Sequence, residues 1–224
     1  MDTNSIIEQY LRRDLNKRVL KNKMNFYFDH YARCERELIY LKIIKNSFVN
    51  LNELKFLEIG AGDGANIFGF KRQGLDWSNI YANELITKRI NELKNNFPSI
   101  NIFEGDACNI SEEYNGYFDI ILQSTVFTSI LNKEFKEKLA IKIFSLLKTN
   151  GILVWYDFIY NNPQNKDVRG INKKEIINLF PQSKSIAFYK VTLAPPIGRK
   201  IKNFYPYLNC FKFLRTHLIA EIRK

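Results

Sequence analysis

One nine-residue segment, residues 56–64, constrains the fold of this chain more than any other. It reads Phe-Leu-Glu-Ile-Gly-Ala-Gly-Asp-Gly, a mainly apolar run that ends in three closely spaced glycines, and a helix is expected from Ala65. Because glycine has no Cβ, such a turn bends tightly and lets the backbone approach a ligand that a side chain would exclude. The segment therefore predicts a strand, a ligand-binding turn and a helix of an α/β protein.

Further short apolar runs surround this segment at a regular rhythm. Runs that alternate with longer amphipathic stretches lie at residues 54–59, 80–83, 100–104, 118–123 and 151–158. This alternation is typical of a parallel sheet covered by crossover helices. Ahead of the sheet, apolar residues at helical spacing within 4–50 predict two or three helices.

The rhythm changes after Phe158. Residues 160–167 have the composition of a loop, and a short helix near 173–179 and a strand near 186–193 follow. We predict an irregular, basic and aromatic-rich insertion over 194–215 and a final strand over 217–222. Since no linker or internal repeat divides the 224 residues and 46% of them are hydrophobic, we expect one domain with a full core.

Composition and charge narrow the classes of function. No apolar run reaches the roughly 18 residues of a membrane span, and the first residues lack a signal-peptide pattern, so we expect a cytoplasmic protein. Cys34, Cys108 and Cys210 are widely spaced, which indicates neither a metal site nor a disulfide framework. The net charge of +11 favours an anionic partner, although lysine is abundant all along the chain.

The glycine turn alone does not identify its ligand, because the same letters fit the dinucleotide pattern G-x-G-x-x-A. The context is more specific. Glu84 ends the second predicted strand about 20 residues past the glycines, where a carboxylate can accept both hydroxyls of a ribose. Asp106, in Gly-Asp-Ala after the third strand, is placed to accept an adenine amino group, and residues 146–151 form a tight turn before the fifth strand.

With these features in this order, residues 50–160 resemble the class I S-adenosylmethionine-dependent methyltransferases. The resemblance implies a Rossmann-like, seven-stranded, mostly parallel α/β sheet with helices on both faces and an antiparallel last strand. It divides the chain into an N-terminal helical cap (1–50), a cofactor-binding core (51–160) and an acceptor-side region (161–224) with a lid insertion (194–215). Thr149-Asn150-Gly151 stands where the family usually has Pro-Gly-Gly, and Asn tolerates the left-handed backbone needed there.

The resemblance also implies S-adenosyl-L-methionine as the cofactor, with Glu58 facing its amino-acid end. The residues expected to bind it are Glu58, Gly60, Ala61, Gly62, Gly64, Glu84, Asp106, Ala107 and Gln123.

Segments on the acceptor side are similar to a subgroup of these enzymes found with bacterial surface-polysaccharide (capsule) biosynthesis. The similar residues are 155–158, 162–163, 167–170, 192–196 and 214–218. This second resemblance implies O-methylation of a small acceptor, such as a sugar, a sugar nucleotide or a phosphate-type group. Such an acceptor is anionic or sugar-like, which also suits the basic insertion.

Several residues are candidates for the acceptor site, because the carboxyl ends of parallel strands form the ligand crevice. His217, at the start of an antiparallel last strand, is the candidate base, and Asp157 would orient it. The candidate substrate-binding residues are Tyr31, Tyr156, Arg169, Arg199 and Arg215. For each of them a structural or solvated role is the alternative.

Two other functions stay open on the sequence. An RNA methyltransferase is compatible with the positive charge, but residues 194–197 lack the polar and aromatic ends of the N/D-P-P-Y/F motif that stacks a target base. No RNA-binding module is recognisable either, so nucleic acid is the less favoured partner. A catalytically silent partner subunit that only binds the cofactor is the third possibility, and the intact glycine turn and Glu84 argue against it.

Overall fold

A mixed sheet of parallel and antiparallel strands forms the centre of the protein. It is seen in a computed structural model that describes residues 3–20, 26–163 and 165–224. Within those residues the sheet has seven strands. They are β1 (Phe56–Ile59), β2 (Ile80–Glu84), β3 (Asn101–Glu104), β4 (Phe118–Ser124), β5 (Leu147–Phe158), β6 (Ser185–Leu193) and β7 (Arg215–Arg223).

Eight α-helices are found in the same described residues. They are α1 (Thr3–Leu20), α2 (Phe26–Lys45), α3 (Ala65–Arg72), α4 (Thr87–Asn96), α5 (Lys133–Leu146), α6 (Lys173–Leu179), α7 (Pro195–Ile201) and α8 (Tyr205–Asn209). None of them is both long enough and apolar enough to cross a membrane. The two N-terminal helices agree with the predicted helical region, apart from residues 1–2 and 21–25, which lie outside the described part.

The strand order is β3-β2-β1-β4-β5-β7-β6. Strands β1 to β5 pair in parallel, and β7 runs antiparallel to both β5 and β6. The Rossmann-like sheet with an antiparallel last strand, predicted from the sequence, is therefore confirmed. The order of strands reverses between β1 and β4, and in open α/β sheets the ligand crevice lies at such a reversal, beyond the carboxyl ends of the strands.

Both faces of the sheet are covered, because alternate side chains of a strand point to opposite faces. Leu57 and Ile121 lie in one core cluster, together with apolar residues of α5. Phe56 and Ile120, their neighbours along the strands, lie in the other cluster, together with residues of α2 and α3. This double burial explains why the central strands are continuously apolar rather than alternating.

Element boundaries differ from the prediction mainly at the edges. Strand β5 begins at Leu147, four residues before the predicted start at Gly151, because Leu147 already pairs with Phe118 of β4 ahead of an irregularity in the register. Asn150 has a φ of 66°, the left-handed conformation expected there. Strand β7 is longer than predicted at both ends, and the insertion 194–215 contains α7 and α8. Gln164, in the predicted loop 160–167, lies outside the described residues.

Candidate active site

The glycine turn between β1 and α3 has the backbone that only glycine adopts readily. Gly60, Gly62 and Gly64 have φ values of 66°, 61° and 78°. A Cβ at Gly60 would lie 2.7 Å from Cγ2 of Val126, and one at Gly64 would lie 2.3 Å from Cε2 of Phe97. A Cβ at Gly62 would meet nothing within 4 Å. Packing therefore requires two of the glycines, and the third borders open space.

Glu84 holds this turn from the end of β2. One carboxylate oxygen accepts a hydrogen bond of 2.8 Å from the backbone N–H of Gly62, and the other accepts two, from Leu85 (2.8 Å) and Ile86 (2.9 Å). A carboxylate has about four acceptor positions, so one remains for a ligand hydroxyl. Glu84 thus shapes the backbone of the turn and still offers an acceptor beside it.

Glu58 is a buried carboxyl with one unsatisfied oxygen. Its Oε1 accepts a hydrogen bond of 2.7 Å from Nδ2 of Asn66, whereas its buried Oε2 has no partner in the described part of the chain. Burial raises the pKa of Glu58 to about 8. Since buried polar atoms are almost always paired, this oxygen is a candidate acceptor for a hydrogen bond from a ligand.

A cavity of about 670 Å³ lies at the reversal point of the sheet, next to this turn. Its volume is within the usual range of about 300–1,000 Å³ for small-molecule sites. Its charged and hydroxyl lining comprises Arg33, Arg36, Glu58, Asp63, Lys88, Arg89, Glu92, Ser124, Thr125, Thr128 and Ser129. The glycine turn, Tyr10, Val126, Phe158 and Val168 also line it. The crevice that the topology predicts is therefore present.

A smaller pocket of about 80 Å³ adjoins the cavity, and Gly60 and Tyr10 line both. Asp106 and Ala107 line this pocket, as does Thr3 of α1. Oγ1 of Thr3 donates a hydrogen bond of 3.2 Å to Oδ2 of Asp106, whose other oxygen accepts from the backbone of Cys108 at 2.8 Å. Helix α1 thus covers the end of the site at which the resemblance places the adenine ring.

Arg36 of α2 lies on the cavity wall in a stack of three side chains. Its guanidinium lies 4.5 Å from the ring centre of Tyr156 and donates a hydrogen bond of 3.2 Å to the Tyr156 hydroxyl. The rings of Tyr156 and His217 are parallel within 9°, with centres 5.2 Å apart. Nε of Arg36 is buried without a partner among the described residues. The stack therefore holds the guanidinium of Arg36 in place while its Nε–H remains available to donate a hydrogen bond.

His217 is a half-buried, neutral imidazole in this stack. Burial, with a smaller contribution from the charge of Arg36, lowers the pKa of His217 to about 3. His217 pairs with Phe158 of β5, so it shares the sheet face of Phe158 and Tyr156. Asp157, between them in the strand, points to the other face. The predicted contact in which Asp157 orients His217 is therefore absent from the described structure.

Asp157 has a different partner. Its Oδ1 accepts a hydrogen bond of 2.5 Å from the hydroxyl of Thr128, and its Oδ2 accepts a longer one of 3.4 Å from the Thr128 backbone. Burial raises the pKa of Asp157 to about 7. Since Thr128 lines the large cavity, it connects this buried carboxyl to the cavity wall.

None of the predicted acceptor residues, Tyr156, Asp157 and His217 included, is among the described walls of the large cavity, and neither is Gln123, which was predicted to bind the cofactor. Arg169 forms an ion pair of 3.2 Å with Glu175 of α6, and Arg199 lies over the ring of Phe28. Arg215 donates hydrogen bonds of 2.8 Å to two backbone carbonyls, those of Asn209 and Lys190. Tyr31 stacks on Tyr205 with ring centres 5.5 Å apart. Gln123 is fully buried and accepts a hydrogen bond of 3.2 Å from the backbone of Val126.

Most residues of the cavity wall were not predicted from the sequence, among them Arg33, Arg36, Thr125 and Thr128. Thr125 has a φ of 59°, which is rare for a β-branched residue and is typical of functional sites. Thr125 and Thr128 directly follow β4, so the rule that ligands bind beyond strand ends would have found them. No comparable signal marks Arg33 and Arg36 among the many charged residues of α2.

Residues 57–155, a little under half of the chain, match a family model described as a methyltransferase domain. No curated protein matches the sequence. The chain is similar in structure to the N-methyltransferase NodS from Bradyrhizobium japonicum in complex with S-adenosyl-L-homocysteine, with a TM-score of 0.63, 14% identity and coverage of 85% of this chain and 86% of NodS.

Two further solved structures are similar over nearly their whole length. One is a possible histamine N-methyltransferase from Thermotoga maritima, with a TM-score of 0.62, 14% identity and coverage of 98% of this chain and 99% of that one. The other is an S-adenosylmethionine-dependent methyltransferase from Archaeoglobus fulgidus, with a TM-score of 0.57, 13% identity and coverage of 88% and 100%. The chain therefore has the fold of the S-adenosylmethionine-dependent methyltransferases, and its methyltransferase-domain segment with these neighbours supports S-adenosylmethionine as the cofactor.

Proposed function

We propose that this protein transfers a methyl group from S-adenosylmethionine to an oxygen atom of a small anionic acceptor of the sugar, sugar-nucleotide or phosphate type. The observation that carries the proposal is the cavity of about 670 Å³. The glycine turn and Glu58 line this cavity together with Arg33 and Arg36. The resemblance of the acceptor-side segments to enzymes of surface-polysaccharide biosynthesis supports a sugar-derived acceptor.

The residues around the glycine turn fit the cofactor. The free oxygen of Glu58 suits its ammonium group, the remaining acceptor position of Glu84 suits a ribose hydroxyl, and Gly62 leaves room beside the turn. Asp106 and Ala107 line the adjoining pocket for the adenine ring. When bound, the cofactor supplies a methyl group already activated for displacement, so the protein must mainly align the acceptor and exclude water.

Arg36 is the residue best suited to bind an anionic acceptor. Its planar fork of N–H donors matches a carboxylate or phosphate, and the stack on Tyr156 fixes it before the ligand arrives. Pre-organisation lowers the entropy cost of binding. Two of the similar structures carry N-methyltransferase names, but the guanidinium of Arg36, held in its stack, favours an anionic over a cationic acceptor beside it.

A hydroxyl acceptor would need a base, whereas an acceptor that is already an oxyanion would not. His217, with its pKa near 3, is a weak base that is stacked on Tyr156. Asp157, whose pKa is raised to about 7, is better matched to proton transfer at neutral pH. We propose that a hydroxyl acceptor donates its proton towards Thr128, whose own hydroxyl hydrogen-bonds to Asp157.

The proposal is tested first by binding and then by transfer. Calorimetry should detect S-adenosylhomocysteine at micromolar affinity, about −8 kcal/mol, and no binding of NAD. Labelled cofactor should then methylate compounds within pools of sugar nucleotides or phosphorylated metabolites, in preference to amines or total RNA. NAD binding without S-adenosylhomocysteine binding would refute the cofactor. Saturable labelling of RNA or amines alone would refute the acceptor class, and cofactor binding without any transfer would favour the silent subunit.

Replacing Arg36 with Lys tests the acceptor side, with Arg169→Lys as the matched control. Lysine keeps the positive charge but loses the planar fork, so we expect the acceptor KM of Arg36→Lys to rise about tenfold, with a smaller change in kcat. Arg169 pairs with Glu175 away from the cavity, so its variant should behave like the wild type. If Arg36→Lys instead weakens S-adenosylhomocysteine binding, the arginine binds the cofactor and not the acceptor.

A further inference from the structure

The insertion 194–215 presents an unusual number of aromatic rings to solvent. Phe204, Tyr207, Phe211 and Phe213 are between 48% and 74% exposed. They form two contacting pairs, with ring centres 6.2 Å apart for Phe204 and Tyr207 and 5.8 Å apart for Phe211 and Phe213. Single exposed aromatics are common on protein surfaces, but a cluster within ten residues marks an interaction surface.

The charge of the insertion has one sign. It contains Arg199, Lys200, Lys202, Lys212 and Arg215 and no Asp or Glu. Four of these five cations are exposed, and Arg215 is turned inward to the carbonyls of Asn209 and Lys190. The exposed aromatic rings therefore share the insertion with exposed lysine and arginine and with no acidic residue.

A well-packed base holds the insertion against the rest of the protein. The hydroxyl of buried Tyr205 accepts a hydrogen bond of 3.1 Å from the backbone of Leu193 and donates one of 3.3 Å to Glu35 of α2. Nδ2 of Asn209 donates a further one of 2.9 Å to the same carboxylate. The rings are thus displayed outward by a fixed backbone. None of the insertion's residues is among the described walls of the large cavity, so these rings do not line that cavity.

We propose that the insertion 194–215 docks the protein on an anionic lipid surface. Aromatic side chains are favoured at the boundary between headgroups and acyl chains, and each lysine near an anionic membrane contributes about 1 kcal/mol of attraction. The combination of protruding rings and a uniformly positive surround fits such a boundary. Because no described helix can cross a membrane, the contact is peripheral and its strength depends on both features together.

Single-stranded RNA is a less suitable occupant of this surface. RNA-binding platforms offer open aromatic faces on which successive bases stack, along a groove that follows the phosphates. Here the rings are paired with each other, with planes inclined at 48° and 51°. The cations that remain exposed are mostly lysines, which act as point charges and suit a diffuse negative surface better than specific base or phosphate recognition.

The test is co-sedimentation of the full chain with lipid vesicles. We expect binding to phosphatidylcholine vesicles that contain about 30% phosphatidylglycerol and little binding to pure phosphatidylcholine, because the attraction is electrostatic and falls with added salt. The double variant Phe204→Ser/Phe213→Ser should lower the partition coefficient about tenfold or more. The double variant Lys200→Glu/Lys202→Glu should lower it to a similar extent.

Matched controls lie elsewhere on the surface. Val49→Ser/Ile141→Ser replaces apolar residues that are similarly or more exposed, and Lys133→Glu/Lys138→Glu makes the same change in net charge on α5. Both should bind vesicles as the wild type does, and unchanged S-adenosylhomocysteine binding shows that each variant is folded. Equal effects of controls and test variants would overturn the proposal. The absence of vesicle binding would also overturn it. That holds for each of the other outcomes, in which the insertion variants disrupt a dimer, abolish RNA binding or change nothing.

Discussion

At the scale of single residues, two glutamates near the glycine turn differ in how many hydrogen-bond donors their carboxyl groups have. Glu84 is held by three backbone N–H groups, so its charge is satisfied before any ligand binds. Glu58 accepts one hydrogen bond, from Asn66, and its second oxygen is buried and unpaired. Its raised pKa follows from burial with too few donors. Glu58 is therefore the group whose protonation should respond to the cofactor.

Glu58→Gln should reveal this response. With a pKa of about 8, Glu58 is mostly protonated at neutral pH, and an ammonium group bound beside it would favour the ionised form. Binding of S-adenosylhomocysteine should therefore release a proton from the wild type and none from Glu58→Gln, whose affinity should fall about tenfold. Calorimetry at neutral pH in two buffers with different ionisation enthalpies measures the release. Equal proton release by both proteins would exclude Glu58 as the source.

At the scale of elements, two glycines of the turn, Gly62 and Gly64, have different surroundings, and substitutions can test them separately. Gly64, the N-cap directly before α3, has a φ of 78°, and a methyl group there would collide with Phe97. Gly62 has a similar φ of 61° but faces open space. Packing against α4 and Phe97 excludes a side chain at Gly64, whereas no packing contact excludes one at Gly62.

Gly64→Ala should therefore damage stability and Gly62→Ala should damage binding. We expect Gly64→Ala to lower the free energy of unfolding by about 2–4 kcal/mol, since left-handed strain and overpacking add. Gly62→Ala should lower it by only about 1–2 kcal/mol, which is the strain alone, yet reduce S-adenosylhomocysteine affinity more than tenfold. Urea unfolding and calorimetry measure the two effects. Wild-type affinity in Gly62→Ala would contradict a cofactor site at this turn.

The elements could be predicted from the sequence because their causes are local. Apolar runs bounded by turns placed all seven strands within a few residues, and α6 was predicted at its observed bounds. The acceptor side could not be predicted in this way. The face of α2 that brings Arg36 to the cavity depends on packing between distant segments. The placement of Asp157 and His217 on opposite faces of the sheet depends on the register between distant strands. Composition alone does not encode those relations.

At the scale of the whole molecule, the carboxyl edge of the sheet concentrates features that oppose stability. Thr125 and Thr192, both β-branched, have φ values of 59° and 57°. Glu58 and Asp157 are buried carboxyls with raised pKa values near the same edge. Strain and buried titratable groups persist where the surrounding structure imposes them, commonly at functional sites. The two carboxyls should therefore leave a measurable signature in the stability of the entire protein.

That signature is a free energy of unfolding that falls as the pH rises. Burial raises the pKa of Asp157 from 3.8 to about 7 and that of Glu58 from 4.5 to about 8. Between the unfolded and folded pKa values, the folded state keeps protons that the unfolded state has released, so this contribution to stability is fully present below pH 3.8 and is lost as the pH rises towards 8.

The double variant Glu58→Gln/Asp157→Asn removes both titrations while an amide oxygen can still accept the hydrogen bond from Thr128. Relative to the wild type, its stability should therefore rise from about pH 5 to about pH 8 by an amount on the order of a few kcal/mol. Urea unfolding of both proteins across this range measures the difference, in which titrations of other groups cancel. Parallel stability curves would show that these two carboxyls are ionised in the folded protein.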